Sequence, residues 1–165
     1  MNFIADAMLG KLARWLRLAG HDVTYIGDLQ VPAGEQDDTL LSRARREKRV
    51  LLTGDIGLHR RARRAGIKGA FIQTNDVVEQ LVEVSRRSGR RIRIQPENSR
   101  CPMCNGLLKE AGKQEIEGKV PATVLKVYDE FWKCRSCGKT YWRGGHWKTI
   151  LEMASRYDRG VKRGY

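Results

Sequence analysis

Long apolar runs are missing from this chain of 165 residues. None approaches the roughly 20 residues that a membrane-spanning helix needs. Neither a basic leader nor a cleavage site precedes the first strand-like residues, Asn2-Phe3-Ile4, so the expected location is cytoplasmic. Acidic residues are in short supply, at 19 against 32 Lys and Arg. The three histidines, His21, His59 and His146, are too dispersed to suggest a triad. Several enzyme signatures are absent too. No Gly-x-x-x-x-Gly-Lys-Ser/Thr loop is present, which excludes a P-loop site. No Gly-x-Gly-x-x-Gly follows the first strand, which excludes the common dinucleotide fold. No Gly-x-Ser-x-Gly elbow occurs, and Met8 stands where a haloacid-dehalogenase-type phosphatase would carry its second aspartate.

What is present suits a folded, cation-rich protein. Apolar residues make up 41% without glycine, and with glycine about half, the usual globular share. The net charge of +13 belongs to both halves, 18 basic to 12 acidic through Glu97 and 14 to 7 beyond it. Basic residues cluster at 43–49, at Arg60, Arg61, Arg63 and Arg64, and at 86–91. Each cluster alone reads as a solvated helix face. Three of one sign favour a polyanion, bound through phosphate neutralisation and counterion release.

Strand-like and helical patterns alternate over the first ninety residues. Strands are expected at 2–5, 23–26, 50–53 and 70–72, each followed by an amphipathic helix. That rhythm predicts an α/β fold, a parallel sheet with helices on both faces, whose strands all end along one edge. The pattern breaks near residues 95–100, giving residues 1–96 as one domain. A small turn-rich domain over 97–160 would include a last helix, and 161–165 would be a frayed tail. Arg91–Ile94 reads as an edge strand, and Thr123–Tyr128 as another strand.

The four cysteines form two pairs, Cys101-x-x-Cys104 and Cys134-x-x-Cys137, with 29 residues between them. Each such turn aims two sulfurs at one point, and together they complete a tetrahedral zinc site. An extended hairpin is expected in the long gap. Two disulfides are the alternative, disfavoured in a reducing compartment and by the closeness of each pair. Redox chemistry would need a pair at a βα junction, and neither pair lies there. Four thiolates leave no open position, so this zinc should hold structure.

Asp6 ends the first strand and Asp55 the third, while Asp37 and Asp38 open the helix between them. Carboxylates so placed can converge in the crevice at the strand ends. There they would need a cation, and Mg²⁺ or Mn²⁺ would permit phosphodiester cleavage. Each aspartate alone reads as readily as a helix cap or turn residue. Lys11, Arg14 and Arg17 recur at i, i+3 and i+6 on the helix leaving that crevice. They are candidates to hold a phosphate, or else form a solvated edge. Trp142 and Trp147 can stack on bases, although in a small zinc domain core roles are expected.

The stretch Asp6-Ala7-Met8-Leu9-Gly10-Lys11-Leu12-Ala13-Arg14-Trp15-Leu16-Arg17, the run Leu51-Leu52-Thr53-Gly54-Asp55, the paired Cys-x-x-Cys turns and Tyr141-Trp142-Arg143-Gly144-Gly145-His146-Trp147 together resemble the Mut-seven C-terminal RNase domain family. This is a PIN-like nuclease branch fused to a zinc ribbon. The resemblance runs from Asn2 to about Met153. It implies a PIN-like three-layer α/β/α sandwich and metal-dependent cleavage of RNA. It carries family acids onto Asp6, Asp55 and one of Asp37 and Asp38, and places the Thr53 hydroxyl beside the metal. Two departures stand out: Ile56, Gly57 and Leu58 follow Asp55 where many PIN domains have a further acid, and Gly54 replaces an expected basic residue. A sparse acid set keeps a non-catalytic protein associated with ribosomal or transfer RNA as the alternative. A DNA-binding zinc-ribbon regulator is weaker, for want of a recognition helix.

Overall fold

The computed structural model describes residues 1–163. Four parallel strands, β1 (Asn2–Ala5), β2 (Asp22–Tyr25), β3 (Val50–Thr53) and β4 (Gly69–Phe71), form a sheet in the order β2-β1-β3-β4. The helices α1 (Gly10–Leu18), α2 (Gln36–Arg46), α3 (Ile56–Arg64) and α4 (Val77–Ser88) follow the strands in turn.

Side-chain alternation explains why both sheet faces are covered. On β1, Phe3 and Ala5 join one apolar cluster with Leu12 and Leu16 of α1 and Leu81 of α4. Ile4, between them, joins a second cluster with Leu40 of α2 and Leu58 and Ala62 of α3. On β3, Leu52 and Leu51 divide in the same way. Successive strand residues point to opposite faces, so two central strands apolar on both faces require a helical layer on each side. The expected α/β/α sandwich with a parallel sheet is therefore present. No described helix is long and apolar enough to cross a membrane.

The remaining chain builds a three-stranded antiparallel sheet, β5 (Leu108–Glu110), β6 (Phe131–Cys134) and β7 (Thr140–Trp142), in sequence order. Between β5 and β6 lie two short helices, α5 (Lys113–Ile116) and α6 (Ala122–Val127), where an extended hairpin was expected. The predicted strand over Thr123–Tyr128 is thus corrected. β6 already has a partner on each side, so a further strand would find no ladder there. Pro121 instead starts a turn of helix that lays Val124 and Leu125 on Phe131 and Ile116.

A long helix, α7 (Gly145–Arg163), closes the molecule. It packs chiefly on α4, and Tyr157 belongs to the amino-terminal core. This helix of the expected 97–160 unit therefore also reaches the amino-terminal core, with Met153 and Val161 packed beside Tyr157. The Tyr157 hydroxyl accepts from the Ile92 amide at 2.8 Å and donates to Ser85 Oγ at 2.8 Å. Arg91–Ile94 forms no strand for that reason: it follows α7 instead of β4. The expected tail is also corrected, since α7 continues to Arg163 and Val161 packs against the core. Residues 164 and 165 of that expected tail lie outside the described residues.

Candidate functional site

The carboxyl ends of β1 and β3 are neighbours in the sheet, and chain connections from them leave in opposite directions. In open parallel sheets this switch point is where ligands bind. Asp6 follows β1 and is 6% exposed. Its Oδ2 accepts from the Thr53 hydroxyl at 2.5 Å and from the Gly54 amide at 2.8 Å, and its Oδ1 accepts from the Met8 amide at 3.0 Å. Thr53 is fully buried, and its oxygen accepts from the Asp55 amide at 2.9 Å. One hydroxyl thereby ties Asp6 to the segment carrying Asp55.

Asp55 is exposed and caps α3, with Oδ1 accepting from the Leu58 amide at 2.9 Å. No hydrogen bond among the described residues engages its Oδ2. The glycine at 54 has a local cause: a Cβ there would lie 3.2 Å from Met8 Sδ. A larger residue would push Met8 away from a peptide that must reach Asp6.

Asp37 and Asp38 sit in the first turn of α2, but both are held by Arg61 of α3. The guanidinium meets Asp37 Oδ2 at 3.1 Å and Asp38 Oδ1 at 2.5 Å. The structure thus joins Asp6, Thr53 and Asp55 through hydrogen bonds and leaves the α2 pair engaged elsewhere. Among the described residues, no three carboxylates approach one another as closely as the four cysteines do.

The basic residues divide similarly. Lys11 and Arg14 are exposed on α1, and Arg60, Arg63 and Arg64 are exposed on α3. Arg61 is exposed but forked onto the two acids. Arg17 is a correction. It is 2% exposed, and its guanidinium donates to Val23 O, Pro102 O and Asp28 Oδ2, the last at 2.6 Å. A side chain so enclosed fastens the first cysteine turn to the sheet and cannot grip a phosphate. Helical spacing placed it beside Lys11 and Arg14, but the ribbon docks over that end of α1.

The four cysteine sulfurs lie within 4.8 Å of one another, with Cys104 3.4 Å from Cys134 and Cys101 3.7 Å from Cys137. A disulfide requires about 2.05 Å, and all four cysteines are free. The edge of a tetrahedron built on bonds of about 2.3 Å is about 3.8 Å, so the spacing suits zinc. Gly138, just after the second pair, has φ of +73°, a left-handed turn that favours glycine. Burial pushes the Cys134 thiol up, but the amides of Cys137 and Ser136 and the neighbouring thiols outweigh it and bring it to about 7. Burial raises Cys104 to about 12.

Two contacts lay beyond sequence reasoning. Tyr141 Oη sits 3.0 Å from Cys101 Sγ, and burial beside that sulfur raises its pKa, so the hydroxyl stays protonated and can donate to a thiolate. Met8, 70% exposed, projects at the strand edge beside Gly54. Its place at the start of an apolar helix stripe gave no sign of that.

The Mut7-C RNAse domain family model matches residues 1–154. No protein of curated function and no solved structure matches the chain.

Proposed function

The chain belongs to the Mut7-C RNase domain family, and from that membership we propose that it is a metal-dependent ribonuclease of PIN type acting in the cytoplasm. The observation that carries this reading is the linkage of Asp6, Thr53 and Asp55 at the switch point. Mg²⁺ commonly takes only one or two carboxylates, completing its shell with waters and substrate phosphate oxygens. Asp6 and Asp55 fit so sparse a set, and Asp37 or Asp38 would join it once released from Arg61. Bound there, Mg²⁺ or Mn²⁺ would acidify water and offset charge on the leaving oxygen.

The protein's own groups prepare that edge. Thr53 and the Gly54 amide fix the Asp6 carboxylate in one orientation. Asp55 Oδ1 is spent on the helix cap, which leaves Oδ2 for another partner. Lys11 and Arg14 on α1 and Arg60, Arg63 and Arg64 on α3 are exposed cations on the two helices that leave this edge, able to position RNA phosphates. Arg61 does so once it leaves its acids. Zinc on Cys101, Cys104, Cys134 and Cys137 would hold the ribbon.

One observation favours a second reading, an RNA-binding protein without catalysis: the acids are not gathered. Zinc-loaded protein incubated with labelled single-stranded and structured RNA, with Mn²⁺ or with no added divalent ion, separates the two. Cleavage that requires Mn²⁺ and is abolished by Asp6→Asn is expected. Asn would also turn its NH2 toward at least one donor, the Met8 amide in the better orientation, costing about 1–3 kcal/mol, so folding is followed alongside. RNA bound but never shortened would support the second reading, and full cleavage by Asp6→Asn would end the first.

A further inference from the structure

A cavity of about 290 Å³ lies between the ribbon and the amino-terminal layers. Its walls include Leu18 of α1, Trp132 of β6, Thr140 and Trp142 of β7, and Trp147 and Ile150 of α7. The sequence reading favoured core roles for Trp142 and Trp147, yet both are only half-buried. Ligand pockets begin at roughly 300 Å³, so this one suits a single small planar group.

Two features indicate what that group is. The first is Arg143, whose guanidinium carbon lies 5.6 Å from the Trp132 ring centre and 5.4 Å from that of Trp147. Glu97 and Glu130 anchor its nitrogens at 3.0 and 3.1 Å. The indoles therefore already receive a flat, delocalised group, which is how they receive a base. The second is an unmet polar atom. Trp132 Nε1, on a cavity wall, is buried without a hydrogen-bond partner among the described residues. Buried polar atoms are rarely left so, and a heteroaromatic edge carries acceptors that would meet an indole N–H.

We propose that this cavity receives one unstacked base of a single-stranded RNA. The inference rests on the ribonuclease reading for its choice of RNA over a protein segment. A path to the strand edge supports it. Lys11, Arg14 and Leu18 share a stripe of α1 at i, i+3 and i+7, so the two exposed cations lead from Asp6 toward the cavity. The nine residues of α1 span about 14 Å, a few nucleotides of single strand. The cavity base sets the register and α1 carries the intervening phosphates. A duplex keeps its bases stacked and cannot enter.

The test uses the zinc-loaded full chain and a ten-nucleotide single-stranded RNA containing 2-aminopurine, without Mg²⁺ or Mn²⁺. Binding should quench the 2-aminopurine at one position of the strand. Trp147→Ala should weaken affinity roughly 5- to 150-fold, and Trp147→Phe should restore most of it. Ile150→Glu provides a second arm independent of the tryptophan. It should weaken binding by placing a carboxylate in the cavity wall, with Tm followed to check that the fold is kept. Wild-type affinity in both Trp147→Ala and a folded Ile150→Glu would overturn the proposal, whatever else fills the cavity. Cleavage assays separate the two readings. RNA bound through Trp147 but never cut with Mn²⁺ defeats the nuclease alone, and RNA cut by variants of unchanged affinity defeats the base cavity alone.

Discussion

The two candidate metal centres are built in opposite ways. In the ribbon, four sulfurs from two distant turns already stand within 4.8 Å of one another. At the strand edge each carboxylate is occupied by its own structure: Asp6 by three donors, Asp55 by the α3 amide, Asp37 and Asp38 by Arg61. A structural centre must bring its ligands together because the fold depends on them. A hydrolytic centre gains from ligands that are oriented singly and completed by water and substrate, since a fully enclosed ion has no position left for chemistry. The contrast accounts for a chain that is rich in cations yet carries no preassembled acid cluster among its described residues.

Breaking the closed centre should produce the largest effect. Zinc bound by four thiolates contributes about 10–16 kcal/mol in small domains. Cys104→Ser, or removal of zinc by chelator, should lower zinc content from about one ion per chain to near none. Near-UV circular dichroism from Trp132 and Trp142 should collapse with it. The parallel sheet has its own core, so far-UV signal from residues 1–90 should largely persist. Full near-UV signal in metal-free protein would show that the cysteines pack without an ion.

Arg17 tests whether the two regions depend on each other. The side chain is 3% exposed and joins Val23 and Asp28 to Pro102 of the first cysteine turn. Breaking a buried ion pair costs about 3–5 kcal/mol. Asp28 is 38% exposed and can rehydrate, so Arg17→Met should fall near the lower figure. That corresponds to a Tm lower by about 6–12 °C. Zinc content should not change, because the sulfurs do not touch Arg17. A variant of normal Tm but weakened RNA binding would restore the phosphate role that burial argues against.

How much was legible follows from the range of the interactions. The β–α alternation and both apolar faces of β1 and β3 are written in neighbouring residues, and so were readable. So was the cysteine quartet, whose local turns fix two sulfurs apiece. Arg17 was misread because its burial comes from a segment 85 residues away. The helix α6 was misread because the β-branched residues Thr123 and Val124 suit a strand, while β6 had no free edge to offer. At the edge, the sequence placed the acids correctly on strand ends and a helix start. It carried no sign that Arg61, four residues after Gly57, would take Asp37 and Asp38.

The smallest expected effect in stability is also the sharpest test of the open centre. Asp55 can be a cap, a ligand or both, because the cap uses Oδ1 and leaves Oδ2. Asparagine caps about as well as aspartate, whereas alanine loses roughly 1 kcal/mol. Asp55→Asn should therefore melt within about 1–2 °C of wild type, and Asp55→Ala about 2–4 °C lower. Stability alone cannot separate the roles, since the helix cap exists under either. Activity can. If Asp55 serves only α3, Asp55→Asn keeps full Mn²⁺-dependent cleavage and Asp55→Ala loses little. If Oδ2 also holds the ion, both variants lose cleavage, and Asp55→Asn does so with the fold intact. A stable, fully active Asp55→Asn protein would leave Asp6 as the edge's one remaining anchored carboxylate and move the weight of the site to Asp37 and Asp38.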